Sequence, residues 1–271
     1  MDIIWADSAG VPAGDRGLAY GDGLFETIRM QGTQGVLLQG HMTRMMAGAA
    51  VLGIPLTASQ LSEVIRQAVA RYAASGDWVL KLVLTRGGGG RGYRPADDVL
   101  PNLIVSSAPM PPLPGADGVV VATSAVQLTV NPQLAGIKTL NRLEQVLASR
   151  ELTDDLYEVL MADPSGDLVE GTRTNLLANV NGCWQTAPTR QLAVAGVMRD
   201  YVVRTLKQQG ERVELTAIAP SVLDPDVCSG LYLMNSLIGV VPVRRLDGRD
   251  LPVDRTLATI FNPLDLVEPQ V

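Results

Sequence analysis

Four prolines fall within eight residues, Ala108-Pro-Met-Pro-Pro-Leu-Pro-Gly115. Such a run can neither continue a helix nor donate to a sheet ladder, so it reads as a semi-rigid extended spacer. It divides the 271 residues into an N-terminal part, 1–107, a spacer, 108–117, and a C-terminal part, 118–271. Each part is long enough for its own core. Hydrophobic residues at 46% against 18% charged give a globular balance. A net charge of −6 argues against nucleic acid as a partner. No basic leader precedes an apolar run, and no stretch reaches the roughly 20 apolar residues of a membrane span. The two distant cysteines, Cys183 and Cys228, read as reduced and buried, so a cytoplasmic location is expected.

The first part combines hairpins with helices. Ile3–Trp5, Gly23–Met30 and Gln34–Leu38 are strand-like, with glycines between them marking turns. Along 23–30, Leu24, Glu26 and Ile28 share one face and Phe25, Thr27 and Arg29 the other. An Arg and a Thr on one face can hold an anion, or can form an ordinary exposed edge. Helices are expected over Gly40–Leu52, with a methionine stripe facing the core, and over Leu56–Tyr72. Arg44 falls in the first turns of its helix, where a cation opposes the macrodipole unless an anion lies nearby. After strand Trp78–Thr85 comes Arg86-Gly-Gly-Gly-Gly-Arg91-Gly-Tyr93-Arg-Pro95. Its glycines match GxGxxG, but Tyr-Arg-Pro prevents the helix that a dinucleotide site requires. It reads as a loop carrying Arg91 and Tyr93.

The second part is richer in strands: Gly118–Thr123, Glu158–Ala162, Leu168–Glu170, Leu176–Val180, Cys183–Thr186, Leu231–Ser236 and Val240–Arg245. Asn181-Gly182 is a strong hairpin signal. Helices are expected over Asn141–Leu152, with Leu143, Val146 and Leu147 inward, from Leu192 to about Gln209, and over Asp254–Phe261. The whole is α+β or α/β in class.

Two scarcities limit the chemistry. The single histidine, His41, rules out a His-rich metal site, and no Gly-x-Ser-x-Gly turn serves a triad, so difficult chemistry would come from a bound group. The three lysines are Lys81, Lys138 and Lys207. Lys81 reads as one position of a strand and Lys207 as solvated. Lys138, in Ala135-Gly-Ile-Lys138-Thr-Leu, has apolar neighbours and no adjacent acid, a setting that favours a free amine for imine chemistry. The small residues before Gly196-Val-Met let backbone N–H groups cradle a phosphate. Arg44 could add charge and Ser236 a hydroxyl. Glu170 could meet a protonated ring nitrogen. An amine, an acid and a phosphate cup are together the parts list for pyridoxal 5'-phosphate.

These segments carry a resemblance over nearly the whole chain: Arg16–Arg29, His41-Met-Thr-Arg44, Arg86–Tyr93, Asn131-Pro132, Gly136–Gln145, Glu170–Asn175, Gly196–Arg199 and Asn235-Ser236. The chain resembles the fold type IV pyridoxal-phosphate enzymes. The loop ending Arg-Gly-Tyr and the segment continuing Asn-Arg-Leu-Glu-Gln look like their aminodeoxychorismate lyase branch more than the aminotransferases. The resemblance implies a small N-terminal α/β domain, a larger C-terminal one, a cofactor between them and a homodimer. It implies Lys138 as the residue joined to the cofactor and Glu170 as partner of its ring nitrogen. Arg44, Ser236 and the backbone of Val197 and Met198 would hold the phosphate. Leu192 would press on the ring, and Asn175 would complete the cofactor's surroundings.

The activity implied is conversion of 4-amino-4-deoxychorismate to 4-aminobenzoate and pyruvate, with Lys138 moving the proton. Arg29 and Arg91 are the candidate cations for two substrate carboxylates, Tyr93 and Asn235 further substrate contacts, and Thr27 an aid to the leaving oxygen. Met198 stands where transaminases often have threonine, and Phe25 where D-amino acid aminotransferases carry tyrosine. Both departures weigh against a D-amino acid or branched-chain aminotransferase, the alternative on the same scaffold.

Overall fold

A computed structural model of the protein describes residues 1–89, 92–96 and 98–269. The chain forms two compact units. The first comprises Met1–Pro111, Ile137–Asn141 and the chain end from Leu266; the second comprises Pro112–Gly136 and Arg142–Asp265. The first crossing falls inside the proline spacer. Two pieces expected in the second part belong to the first unit instead, because strand edges there take them up.

The first unit contains β1 (Asp2–Trp5), α1 (Arg16–Tyr20), β2 (Gly23–Gln31), β3 (Gln34–Val36), α2 (Leu38–Leu52), α3 (Ala58–Tyr72), β4 (Asp77–Thr85) and β5 (Asn102–Pro109). Its sheet runs β1-β5-β4-β2-β3, extended by Val267–Glu268 on β3. Leu24 and Ile28 of β2 alternate inward with Leu80, Leu82 and Leu84 of β4. Met42, Met45, Leu61 and Ile65 of α2 and α3 complete that core. The methionine stripe is therefore core packing. A Thr57–Gln60 capping box starts α3.

Helix α1 was not expected from the glycine-rich sequence. Asp15 nucleates it by accepting the Gly17 and Leu18 N–H groups, while Thr85 Oγ1 and Asn102 Nδ2 tie the same carboxylate to β4 and β5. Asp22 then bridges two buried arginines, Arg16 and Arg86. Arg16 also donates to the carbonyls of Gly92 and Tyr93.

The second unit contains β6 (Val119–Thr123), α4 (Leu143–Ser149), β7 (Glu158–Ala162), β8 (Leu168–Gly171), β9 (Asn175–Val180), β10 (Cys183–Thr186), α5 (Val197–Gln208), β11 (Val213–Leu215), β12 (Cys228–Asn235), β13 (Gly239–Leu246), β14 (Arg249–Asp250) and α6 (Thr256–Ile260). Strands run β11-β10-β9-β12-β13-β6-β7-β8. β8 pairs back on β9 through Glu170 and Asn175, so the ladder closes at those two residues. Asn181 and Gly182 both take positive φ, the tight hairpin turn their sequence encodes.

Helix α4 reverses the expected facing. Leu143, Val146 and Leu147 are 77%, 56% and 48% exposed, whereas Gln145 and Ala148 are buried. The helix approaches β7 through the small side chain of Ala148, which turns its large apolar residues outward. Helix α5 begins at Val197 rather than Leu192, because Leu192 and Gly196 are both extended. Among the described residues no helix is long and apolar enough to cross a membrane.

Candidate active site

In the first unit, Lys138 sits in a short extended piece laid along β2. Phe25 N–H donates to the Lys138 carbonyl at 3.0 Å, Leu140 N–H donates to the Gly23 carbonyl at 3.0 Å, and Leu24 bridges Thr139. This backbone pairing fixes the lysine's root. Its side chain is half-buried, with Nζ 4.2 Å from the centre of the Phe25 ring. That position gives the ammonium a cation–π contact and the amine an apolar wall.

Phe25 lies on the sheet face opposite the core. Thr27 of β2, Lys81 of β4 and Ser106 of β5 sit directly opposite one another in register on that face. Lys81 is exposed, with Nζ 5.9 Å from the Phe25 ring centre. Its place on a strand was expected from the sequence; its closeness to Phe25 was not. The signal was a lone cation between Val79 and Val83 on a strand. Arg29, expected to meet a substrate carboxylate, is paired with Asp77, its Nε 3.0 Å from that carboxylate and its Nη2 also donating to it. Arg29 is opposite Val79 in the ladder, and Asp77, opposite Gln31, is its diagonal neighbour on the same sheet face.

On the core face, Glu26 stands between Leu24 and Ile28 and is buried. Arg44 Nε donates to its Oε1 at 2.7 Å and Arg44 Nη2 to its Oε2 at 2.6 Å; His41 Nδ1 lies 2.6 Å from Oε2. Burial alone would push the Glu26 carboxyl up, but Arg44 and His41 more than offset it and hold it at about 2. Burial pushes the His41 imidazole below its usual range against the pull of Glu26, with Arg44 and Lys138 adding to the depression. The neutral ring therefore carries its proton on Nδ1, toward the carboxylate. Its Nε2 is a buried acceptor without a hydrogen-bond partner among the described residues. The anion that the macrodipole argument required beside Arg44 is Glu26. An acid on the apolar face of a strand, with a His-x-x-Arg pair on the next helix, was the available signal.

In the second unit, Glu170 and Asn175 face each other across the β8–β9 join and grip one peptide. Val194 N–H donates to Glu170 Oε2 at 3.3 Å, and Asn175 Nδ2 donates to the Val194 carbonyl at 3.0 Å. Val194 is half-buried, whereas Leu192 is fully buried in a cluster with Val159, Met161 and Val169. Leu192, expected to press on a ring, packs its side chain in that cluster, and Val194 is the residue hydrogen-bonded to Glu170. Leu192 acts through its carbonyl, which accepts from Gly136 N–H at 2.8 Å. A second buried carboxylate, Glu158, accepts from Thr172 Oγ1 at 2.5 Å and Thr172 N–H at 3.2 Å, bracing the turn that follows Glu170. Burial pushes its carboxyl up, against those hydrogen bonds.

Gly196 precedes α5 without a side-chain cap, so the first turn's N–H groups, including Val197 and Met198, have no capping oxygen from it. A Cβ on Gly196 would meet Asn175 Oδ1 at 2.0 Å. This glycine cradle at an uncapped helix start suits a phosphate. Ser236 is buried in the β12–β13 turn. Asn235, expected at the substrate, braces that turn: its Oδ1 accepts from Leu237 and Ile238 N–H, and its Nδ2 donates to the Arg173 carbonyl. Tyr93 is 87% exposed and stacks edge-on against Tyr20. Arg91 lies outside the described residues.

Each unit by itself holds groups that suit pyridoxal phosphate: the first an amine against an aromatic wall, the second a strand-end carboxylate and a glycine cradle at a helix start. The architecture is that of the fold type IV enzymes. The chain belongs to the class IV aminotransferase family, whose model matches residues 23–246. Members of this family use pyridoxal phosphate and include lyases and aminotransferases. A protein of Methanocaldococcus jannaschii named for branched-chain-amino-acid aminotransferase activity is 33% identical over 87% of this chain and 82% of its own length. The aminodeoxychorismate lyase of Vibrio harveyi is 31% identical over 90% of each chain. The crystal structure of 4-amino-4-deoxychorismate lyase from Pseudomonas aeruginosa matches with a TM-score of 0.86 and 36% identity. It covers 93% of this chain and 94% of that one.

Proposed function

We propose that the protein is a pyridoxal-phosphate-dependent 4-amino-4-deoxychorismate lyase, releasing 4-aminobenzoate and pyruvate for folate biosynthesis. The observation that carries this reading is the open face around Phe25, where Lys138 Nζ is joined by a second amine, Lys81, and the Thr27 hydroxyl. A substrate with one amine and two carboxylates calls for extra cations. The lyase relatives, similar along about nine-tenths of each chain, support the same choice.

The cofactor, when bound, supplies an aldehyde that takes up the substrate amine and a protonated ring that accepts electron density. Lys138 holds the cofactor and then removes the proton from the substrate carbon bearing nitrogen. Glu170 keeps the ring nitrogen protonated, and the Val194 N–H fixes its carboxylate. Arg44, Ser236 and the Val197 and Met198 N–H groups hold the phosphate. Lys81 meets one substrate carboxylate, with Arg91 the cation for the other. Thr27 donates toward the departing oxygen. Loss of the enolpyruvyl group leaves an aromatic ring, which makes the step strongly downhill. A homodimer, as the resemblance implies, would cover Leu143, Val146 and Leu147, and the cytoplasm is the proposed location.

Amino transfer is the second reading, favoured by the Methanocaldococcus jannaschii relative. The deciding assay supplies 4-amino-4-deoxychorismate without any keto acid. Stoichiometric pyruvate and 4-aminobenzoate establish the lyase. Turnover that starts only when a keto acid is added establishes the aminotransferase.

A further inference from the structure

Glu26 presents a paradox. A phosphate-binding arginine gains by being electropositive, yet a buried ionised carboxylate takes two N–H groups of Arg44. In charge alone, Glu26 works against any anion that Arg44 meets. In geometry it does the opposite. The two-point contact fixes the plane of the guanidinium, and a planar fork with a fixed plane loses less freedom on meeting a second anion. His41, one helical turn before Arg44, donates from Nδ1 to the same carboxylate and holds it from a second direction. All three side chains are at least largely buried, with 2%, 1% and 14% of the Glu26, His41 and Arg44 side chains exposed.

We propose that Glu26, with His41 behind it, is a positioning residue that presets Arg44 for the cofactor's phosphate, at a net electrostatic cost. The inference rests on the pyridoxal-phosphate reading above.

Two variants separate position from charge. Glu26→Gln removes the negative charge, and Glu26→Asp keeps it but draws the carboxylate back by one methylene. Cofactor-free protein is titrated with pyridoxal phosphate and with pyridoxal, which lacks the phosphate, and tryptophan fluorescence reads the dissociation constants. Melting of each unliganded variant checks folding. Positioning requires both variants to weaken pyridoxal phosphate by about tenfold or more, the scale of losing an outer partner of a ligating group. Pyridoxal should stay within about twofold, since it makes no phosphate contact. Should Glu26→Gln fail to fold, Glu26→Asp alone decides. Tighter pyridoxal phosphate binding by Glu26→Gln, unchanged binding by Glu26→Asp, or equal weakening of both ligands overturns the proposal. Wild-type protein that takes up no pyridoxal phosphate overturns the cofactor reading itself, and this inference with it.

Discussion

Lys138 Nζ lies 4.2 Å from the centre of the Phe25 ring, so the amine proposed to do chemistry is steered by an aromatic side chain from the adjacent strand. Replacing Phe25 with Leu keeps an apolar wall but removes the cation–π contact. Steady-state assays should show kcat lowered on the order of tenfold, since small losses of orientation are costly at a reacting group. Borohydride trapping followed by peptide mass spectrometry should still place the cofactor on Lys138. A label on Lys81 or Lys207 would refute the assignment.

Lys81 is exposed and contributes little to packing. Lys81→Met should therefore leave the melting temperature close to wild type. It should raise KM for 4-amino-4-deoxychorismate by about tenfold, the scale of one lost charge-assisted hydrogen bond. An unchanged KM would remove Lys81 from the substrate site.

Acid stability follows from the Glu26–His41–Arg44 cluster. His41 titrates below its ordinary value in the folded chain, so the unfolded chain binds its proton first. Stability should begin to fall below about pH 6.5. Glu26 titrates at about 2 when folded against 4.5 otherwise, so its contribution is present above about pH 4.5 and is lost as pH falls toward 2. Denaturant melts across this window should show two falling arms. His41→Gln should abolish the upper arm and leave the lower. A pH-independent midpoint between 7 and 3 would contradict both.

Gly196→Ala would place a methyl 2.0 Å from Asn175 Oδ1. The backbone there is extended, so the obstacle is space rather than φ. Relief requires Asn175 to release the Val194 carbonyl, which should lower stability by about 1–3 kcal/mol. Pyridoxal phosphate should bind more weakly as well. Calorimetry and a cofactor titration check the two effects separately.

Much of the architecture was legible because its signals were local. Alternation in Leu24–Ile28, the Thr57–Gln60 box and the Asn181–Gly182 turn each act over a few residues, and the elements formed where those signals lay. Helix α1 was not legible, because Asp15 draws on Thr85 and Asn102, about 70 and 87 positions away. The facing of α4 was misread because apolar periodicity cannot tell a core from an outward surface. Site residues fared likewise. Lys138 stood out by the scarcity of lysine. Arg29 and Asn235 were expected at ligands, and their bonds to Asp77 and within the β12–β13 turn were not read from the sequence, because those partners lie elsewhere in the chain or in backbone geometry. Glu26 was noted as a strand position, but its partners come from a helix the strand pattern does not mention.

Lys138 belongs by contact to the first unit although the chain on either side of it belongs to the second. Swapping halves between relatives at the proline run would therefore mate a foreign strand to β2. A chimera builder would have to treat residues 137–141 as a separate insert, matched to the recipient's N-terminal sheet rather than to its own neighbours in sequence.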